Sequence, residues 1–136
     1  MNVYLEPGAR MPQRAHDEDV GYDLFSTQTM LVPAHGSAVF HTGVHVELPR
    51  NRAGMVMSKS GLHIAHDITT DGLVDPGYNG EIMVKLTNHG DSDYWVERGD
   101  KIAQLVVVTV TTEPLVLVDS IQGGERGNNG FGSTGR

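Results

Sequence analysis

No cysteine occurs among the 136 residues, which excludes disulfides, thiolate catalysis and any metal site built on sulfur ligands. Long hydrophobic runs are missing too. Met1–Arg10 holds no apolar stretch of signal-peptide length, and no later segment could span a bilayer as a helix. The expectation is a cytoplasmic protein without membrane contact, in the host cytoplasm if the origin is viral. Positive charge is scarce, with 10 Lys and Arg against 17 Asp and Glu and a formal net charge of −7. That balance argues against direct nucleic-acid binding, which normally needs a basic face. A nucleotide-sized anion is still admissible where a cationic cluster, a metal ion or oriented backbone N–H groups offset the surrounding field. Helical spacing of apolar residues is hard to find anywhere.

What the sequence does contain is short β-branched runs bounded by Gly, Pro, Asn and Asp. With 38% hydrophobic and 20% charged residues, it has the composition of one folded domain. Strands are predicted at Gly21–Ser26, Met30–Pro33, Ser37–His41, Val44–Leu48, Arg52–Ser58, Glu81–Asn88, Tyr94–Val96, Ile102–Thr112 and Leu115–Val118. So many short strands imply an all-β sandwich, barrel or jelly roll. The text from Asp71 to Glu81 surrounds two apolar residues with turn formers and predicts a tight hairpin. Val106–Val108 place apolar side chains on both faces of one strand, which suggests a subunit interface. From Gly123 onward six glycines fall among the last 14 residues, with Phe131 the only large apolar side chain. Such a segment cannot offset its own ordering entropy, so the chain divides into a β domain over 1–122 and a glycine-rich arm over 123–136, mobile when the site is empty.

Five segments carry chemistry when taken in order: Ala15–Leu24 (AHDEDVGYDL), Ser58–Leu62 (SKSGL), Gly72–Glu81 (GLVDPGYNGE), Arg98–Leu105 (RGDKIAQL) and Arg126–Gly135 (RGNNGFGSTG). Each has a plainer reading by itself. Asp23 and Asp75 could be turn carboxylates, Ser60-Gly61 a turn, Tyr78 a structural aromatic and Gln104 a buried amide needing any partner. Together, in this order and over most of the chain, they resemble the five motifs of the trimeric dUTPase family.

The resemblance implies a distorted jelly-roll homotrimer with a flexible C-terminal arm, hydrolysing dUTP to dUMP and pyrophosphate with Mg2+. Such an activity limits uracil in DNA and supplies dUMP for dTMP synthesis. Asp75 matches the base that activates water for attack on the α-phosphorus, and Asp23 the carboxylate that supports the metal through water. Ser60 with Gly61, Gln104 and Lys59 match phosphate contacts. Tyr78 packs under the deoxyribose and leaves no room for a 2′-hydroxyl, while the turn backbone around Gly77–Gly80 pairs with the uracil edge through main-chain groups and Gly72, at the start of the same segment, is a further substrate contact. In the arm, Phe131 stacks on the base, Arg126, Ser133 and Thr134 bind the β- and γ-phosphates, and glycines such as Gly132 offer N–H groups. In the family one subunit supplies the first, second and fourth motifs, another the hairpin and a third the arm.

The sequence departs from the pattern in its second motif. Ser58 stands for a proline and Lys59 for an arginine, which keeps the cation and loses bidentate geometry. The spacer from Leu62 to Asp75 is several residues shorter than in many relatives. A dCTP deaminase shares the fold but needs a glutamate where this chain has Lys85. A dUTP-sensing module with a regulatory protein partner is a third reading. His63 with His66, or His41 with His45, offer imidazole pairs without a third ligand at zinc-like spacing.

Overall fold

The computed structural model describes residues 1–135; Arg136, the last residue of the predicted arm, lies outside them. Eleven strands and one short helix form in the order β1 (Asn2–Leu5), β2 (Gly21–Phe25), β3 (Met30–Val32), β4 (Ser37–His41), β5 (Val44–Glu47), β6 (Arg52–Ser58), α1 (Ser60–His66), β7 (Ile68–Thr69), β8 (Asp71–Val74), β9 (Met83–Asn88), β10 (Tyr94–Val96) and β11 (Lys101–Thr109). They assemble into a four-stranded sheet β2-β11-β6-β8, a three-stranded sheet β4-β9-β7 and the pairs β1-β5 and β10-β3. Every pairing is antiparallel, as expected of a jelly roll that packs one sheet on another. Phe40, Leu24, Ile68, Leu86, Ile102 and Leu105 are fully buried between the sheets. Each contributes about 1.5–3 kcal/mol by leaving water. Buried Asn88 is satisfied: its amide donates to the Val32 and Ser92 carbonyls and its oxygen accepts from Gly90 N–H.

Several expectations need correction. Leu115–Val118 is not a strand, and Leu115 and Leu117 are as exposed as in an extended chain, at 101% and 99%. Its β-branched residues have the propensity but no partner edge in their own chain. The predicted helix-free chain contains α1, which buries none of its residues. A seven-residue helix with no buried face leaves no periodic pattern to read. Strands β1, β7 and β8 also lay outside the predicted set, two of them short and one beginning at Asp71-Gly72. The Asp71–Glu81 segment is not a paired hairpin, since β8 bonds to β6 while the following β9 bonds to β4 and β7. It is a turn that carries the chain from one sheet to the other. Within one chain Val106–Val108 are half-buried, as β11 occupies the middle of a sheet with one face on the core, which agrees with a second face kept for another subunit.

Candidate active site

Gly21 begins β2 opposite Val106 of β11, with the Gln104 side chain beside it. A Cβ there would run into the Gln104 carboxamide, with its Cδ only 3.0 Å away, so the glycine leaves the space that Gln104 fills. Gln104 Nε2 donates to the Ser58 carbonyl at 3.1 Å, which ties it to the end of β6. Next along the ladder, Asp23 pairs with Gln104 and is 5% exposed. Its carboxylate accepts from Lys59 Nζ at 2.5 Å and Lys101 Nζ at 2.8 Å. Burial by itself would raise the Asp23 pKa, but the hydrogen bonds and charges of Lys101 and Lys59 outweigh it and hold the group below its ordinary value.

These side chains line a cavity of about 290 Å³ with Ser60, Asp19, Val20, Gly21 and Ala15. Ser60 and Gly61 open α1 directly after Lys59, and the Cβ direction of Gly61 faces open space, so its backbone is accessible. Lys101 is absent from the expected site residues although it shares Asp23 with Lys59. The signal was its place beside the turn before Gln104, but only the register of β11 against β2 brings it to Asp23. Asp19 accepts from the His16 N–H and lines the same cavity.

Ser58, where the family carries proline, has a clear use. Its Oγ donates to the Thr70 carbonyl and accepts from the Thr70 N–H, both at 2.9 Å. A proline could form neither bond. The pair closes the short connection through α1 and β7 against the end of β6.

Asp75 and Tyr78 sit on the inter-sheet turn, both exposed, with the Tyr78 N–H bonded to the Asp75 carbonyl at 3.0 Å. Tyr78 folds back over Gly80, whose missing Cβ makes room for the ring, and its hydroxyl donates to the Glu81 carbonyl at 2.9 Å. A second cavity, of about 200 Å³, lies under this ring and is lined by Gly72, Val56, Leu73, Val74, Ile82 and Met83. It shares no residue with the first. Glu81 closes the turn: one carboxylate oxygen accepts from Gly43 N–H at 2.8 Å and the other from His41 Nδ1 at 2.7 Å. Burial raises the Glu81 pKa, yet the His41 and Gly43 hydrogen bonds prevail and keep it low.

The arm joins neither cavity. Every described residue from Thr111 onward is exposed, Phe131 at 111%, and the Arg126 side chain bonds only to Ser133 within the arm, at 3.3 Å. Gly132 and Thr134 are equally exposed. One chain therefore presents a lysine-serine-glutamine half-site, an Asp75-Tyr78 half-site and a free tail.

Among the described residues no group of three or more His, Asp or Glu could hold a metal. The buried Asp23 carboxylate, with Asp19 beside it, suits a hard cation that keeps its waters and takes its other ligands from phosphate oxygens. No helix among the described residues is long and apolar enough to cross a membrane.

Comparison with known proteins agrees with this geometry. A family model described as dUTPase matches residues 8–135. The chain is 40% identical over 135 residues to the deoxyuridine 5′-triphosphate nucleotidohydrolase of Clostridium tetani, covering 97% of this chain and 93% of the relative. It is 36% identical over 140 residues to that of Candida albicans, covering 100% and 88%. Its fold superposes with a TM-score of 0.93 on the dUTPase of Staphylococcus bacteriophage 80alpha with dUPNHPP, at 31% identity over 99% of this chain and 98% of that one. That phage protein is described as controlling the transfer of virulence genes. A variant dUTPase from phage phi11 of S. aureus, described as revealing the coordination of a structural Mg(II) ion, superposes at 0.81, with 30% identity and 88% and 96% coverage.

Proposed function

Because the chain belongs to the dUTPase family, hydrolysing dUTP to dUMP and pyrophosphate, we propose that it does so at sites completed between three copies of itself. The observation that carries this is the separation of the half-sites on one chain. The Lys59-Ser60-Gln104 cavity, the Asp75-Tyr78 turn and the arm share no lining residue. Trimer formation would also cover apolar surface that one chain leaves in water. Met55, Met57 and Leu73 are aligned across β6 and β8 at 37%, 39% and 68% exposure, and the Leu115–Val118 tail is open to solvent. A contiguous patch of this kind marks an interface.

In the assembled site the triphosphate lies along Lys59, Ser60, Gly61 and Gln104. The uracil and deoxyribose occupy the turn, where Tyr78 excludes a 2′-hydroxyl and the main chain near Gly72 and Gly80 reads the base. Asp75 takes a proton from water as its oxygen bonds to the α-phosphorus, and the bond from that phosphorus to the bridging oxygen breaks to release pyrophosphate. Phe131 stacks on the base, while Arg126, Gly132, Ser133 and Thr134 enclose the outer phosphates and expel water. Asp23 would help to hold a magnesium ion that accompanies the nucleotide, and the ion would supply positive charge to offset the phosphate chain. The arm 123–136 thus acts as a part distinct from the domain 1–122. Deamination of dCTP is not favoured: Lys85 is an exposed residue of β9 opposite Val39 and supplies no carboxylate.

Replacing Asp75 with Asn tests the assignment. We expect kcat for dUTP to fall about a thousandfold, within the range for loss of a general base, with nucleotide binding retained in calorimetry. Normal pyrophosphate release from the variant would remove Asp75 from the reaction.

A further inference from the structure

His45 lies on β5 and contacts the turn that carries Asp75 and Tyr78. Its Nδ1 is 2.9 Å from the Asn79 carbonyl and its Nε2 is 3.1 Å from the Glu6 carboxylate. A carbonyl and a carboxylate can only accept, so both contacts are made together only by an imidazole that carries a proton on each nitrogen. The Tyr4 ring covers the imidazole at 5.3 Å between centroids. Asn79 is next to Tyr78, so the contact reaches the backbone of the turn one residue from the sugar-binding ring. No other side chain bonds to the Asn79 carbonyl among the described residues.

We propose that His45 is a positioning residue of the base-reading turn, an imidazolium that bridges Asn79 to Glu6 and makes nucleotide affinity, but not the chemical step, depend on its protonation. The proposal rests on the reading that this turn holds the uracil and deoxyribose. The groups facing His45 are consistent with the charged form. Glu6 follows β1 and bonds to it directly, and Glu81 on the turn adds a second negative charge. His41 on β4 is engaged with Glu81, and Glu47 on β5 is engaged with Asn2. The Asn79 carbonyl first, then the Glu6 carboxylate, raise the His45 pKa above its ordinary 6.5, against a smaller opposing effect of burial. A raised pKa means that the bridge is complete below about 6.5 and is lost as pH rises through the higher folded value.

The test is the pH profile of KM and kcat for dUTP between pH 6 and 9 in the wild type, His45→Gln and Tyr78→Ala. Glutamine can still donate to the Asn79 carbonyl but does not titrate. Titration of the nucleotide's own phosphate is common to all three proteins and cancels in ratios. We expect the ratio of KM in His45→Gln to KM in the wild type to fall about fivefold from low to high pH, the size of one net hydrogen bond. The kcat ratio should stay flat, and Glu6→Gln should move the wild-type transition to lower pH. A KM ratio independent of pH, or a pH-dependent kcat ratio, overturns the proposal. Tyr78→Ala separates the two ideas. If it leaves KM and the preference for dUTP over UTP unchanged, the turn does not read the nucleotide and both readings fall. If it abolishes the preference while the His45→Gln ratio stays flat, only the role of His45 falls.

Discussion

Two glycines in this site act by what they omit. Gly21 leaves the volume that the Gln104 carboxamide fills, and Gly80 leaves the volume under the Tyr78 ring. A methyl group at Gly21 would displace Gln104 from its bond to the Ser58 carbonyl, while the strand backbone could still accept alanine. Gly21→Ala is therefore expected to raise KM for dUTP about tenfold, from loss of one charge-assisted phosphate contact, with little change in melting temperature. Steady-state kinetics and thermal unfolding on the same preparation check both halves. Lysine at position 59 is accommodated by chemistry that suits a point charge. Its ammonium and that of Lys101 converge on the two oxygens of Asp23, an arrangement that requires no planar fork.

Among the elements, β11 is the structural centre of the phosphate half-site, because its register against β6 and β2 sets Gln104 beside Ser58 and Asp23. The Ser58–Thr70 bonds then allow a short connection through α1 and β7 without loosening the end of β6. The arm is the opposite kind of element. It contributes no core residue, so deleting 123–136 should leave the domain folded and its assembly intact while dUTP turnover collapses at least a hundredfold, as closure and phosphate contacts are lost. Size-exclusion chromatography with light scattering, beside a pyrophosphate-release assay, measures both. Persistence of full activity would take the arm out of the site.

The chain as a whole carries the parts of an active site without joining them. Two inactive variants with defects in different parts of the site should therefore restore activity when mixed. If Asp75→Asn chains and chains lacking 123–136 are unfolded together and refolded at equal ratio, about a quarter of the sites should combine an intact turn with an intact arm from random assembly of neighbours. Activity recovered to about that fraction in the mixture, and in neither variant alone, is the expected result. No recovery would mean that each chain completes its own site.

Much of this was legible without coordinates. Motif order and β-branched runs bounded by turn residues are local properties, and they located the family, the all-β class and eight of the strands. Seven of the expected nucleotide and metal contacts, Asp23, Lys59, Ser60, Gly61, Gln104, Gly72 and Tyr78, lie at or beside the two cavities. What the tertiary structure alone decided depends on register and on which edges find partners. Only the β2–β11 ladder brings Lys101 to Asp23, and only the packing of β5 against the inter-sheet turn brings His45 to Asn79, 34 residues away in sequence. For the same reason Leu115–Val118 has strand propensity and no strand: pairing is a property of two segments, and no strand of its own chain pairs with it.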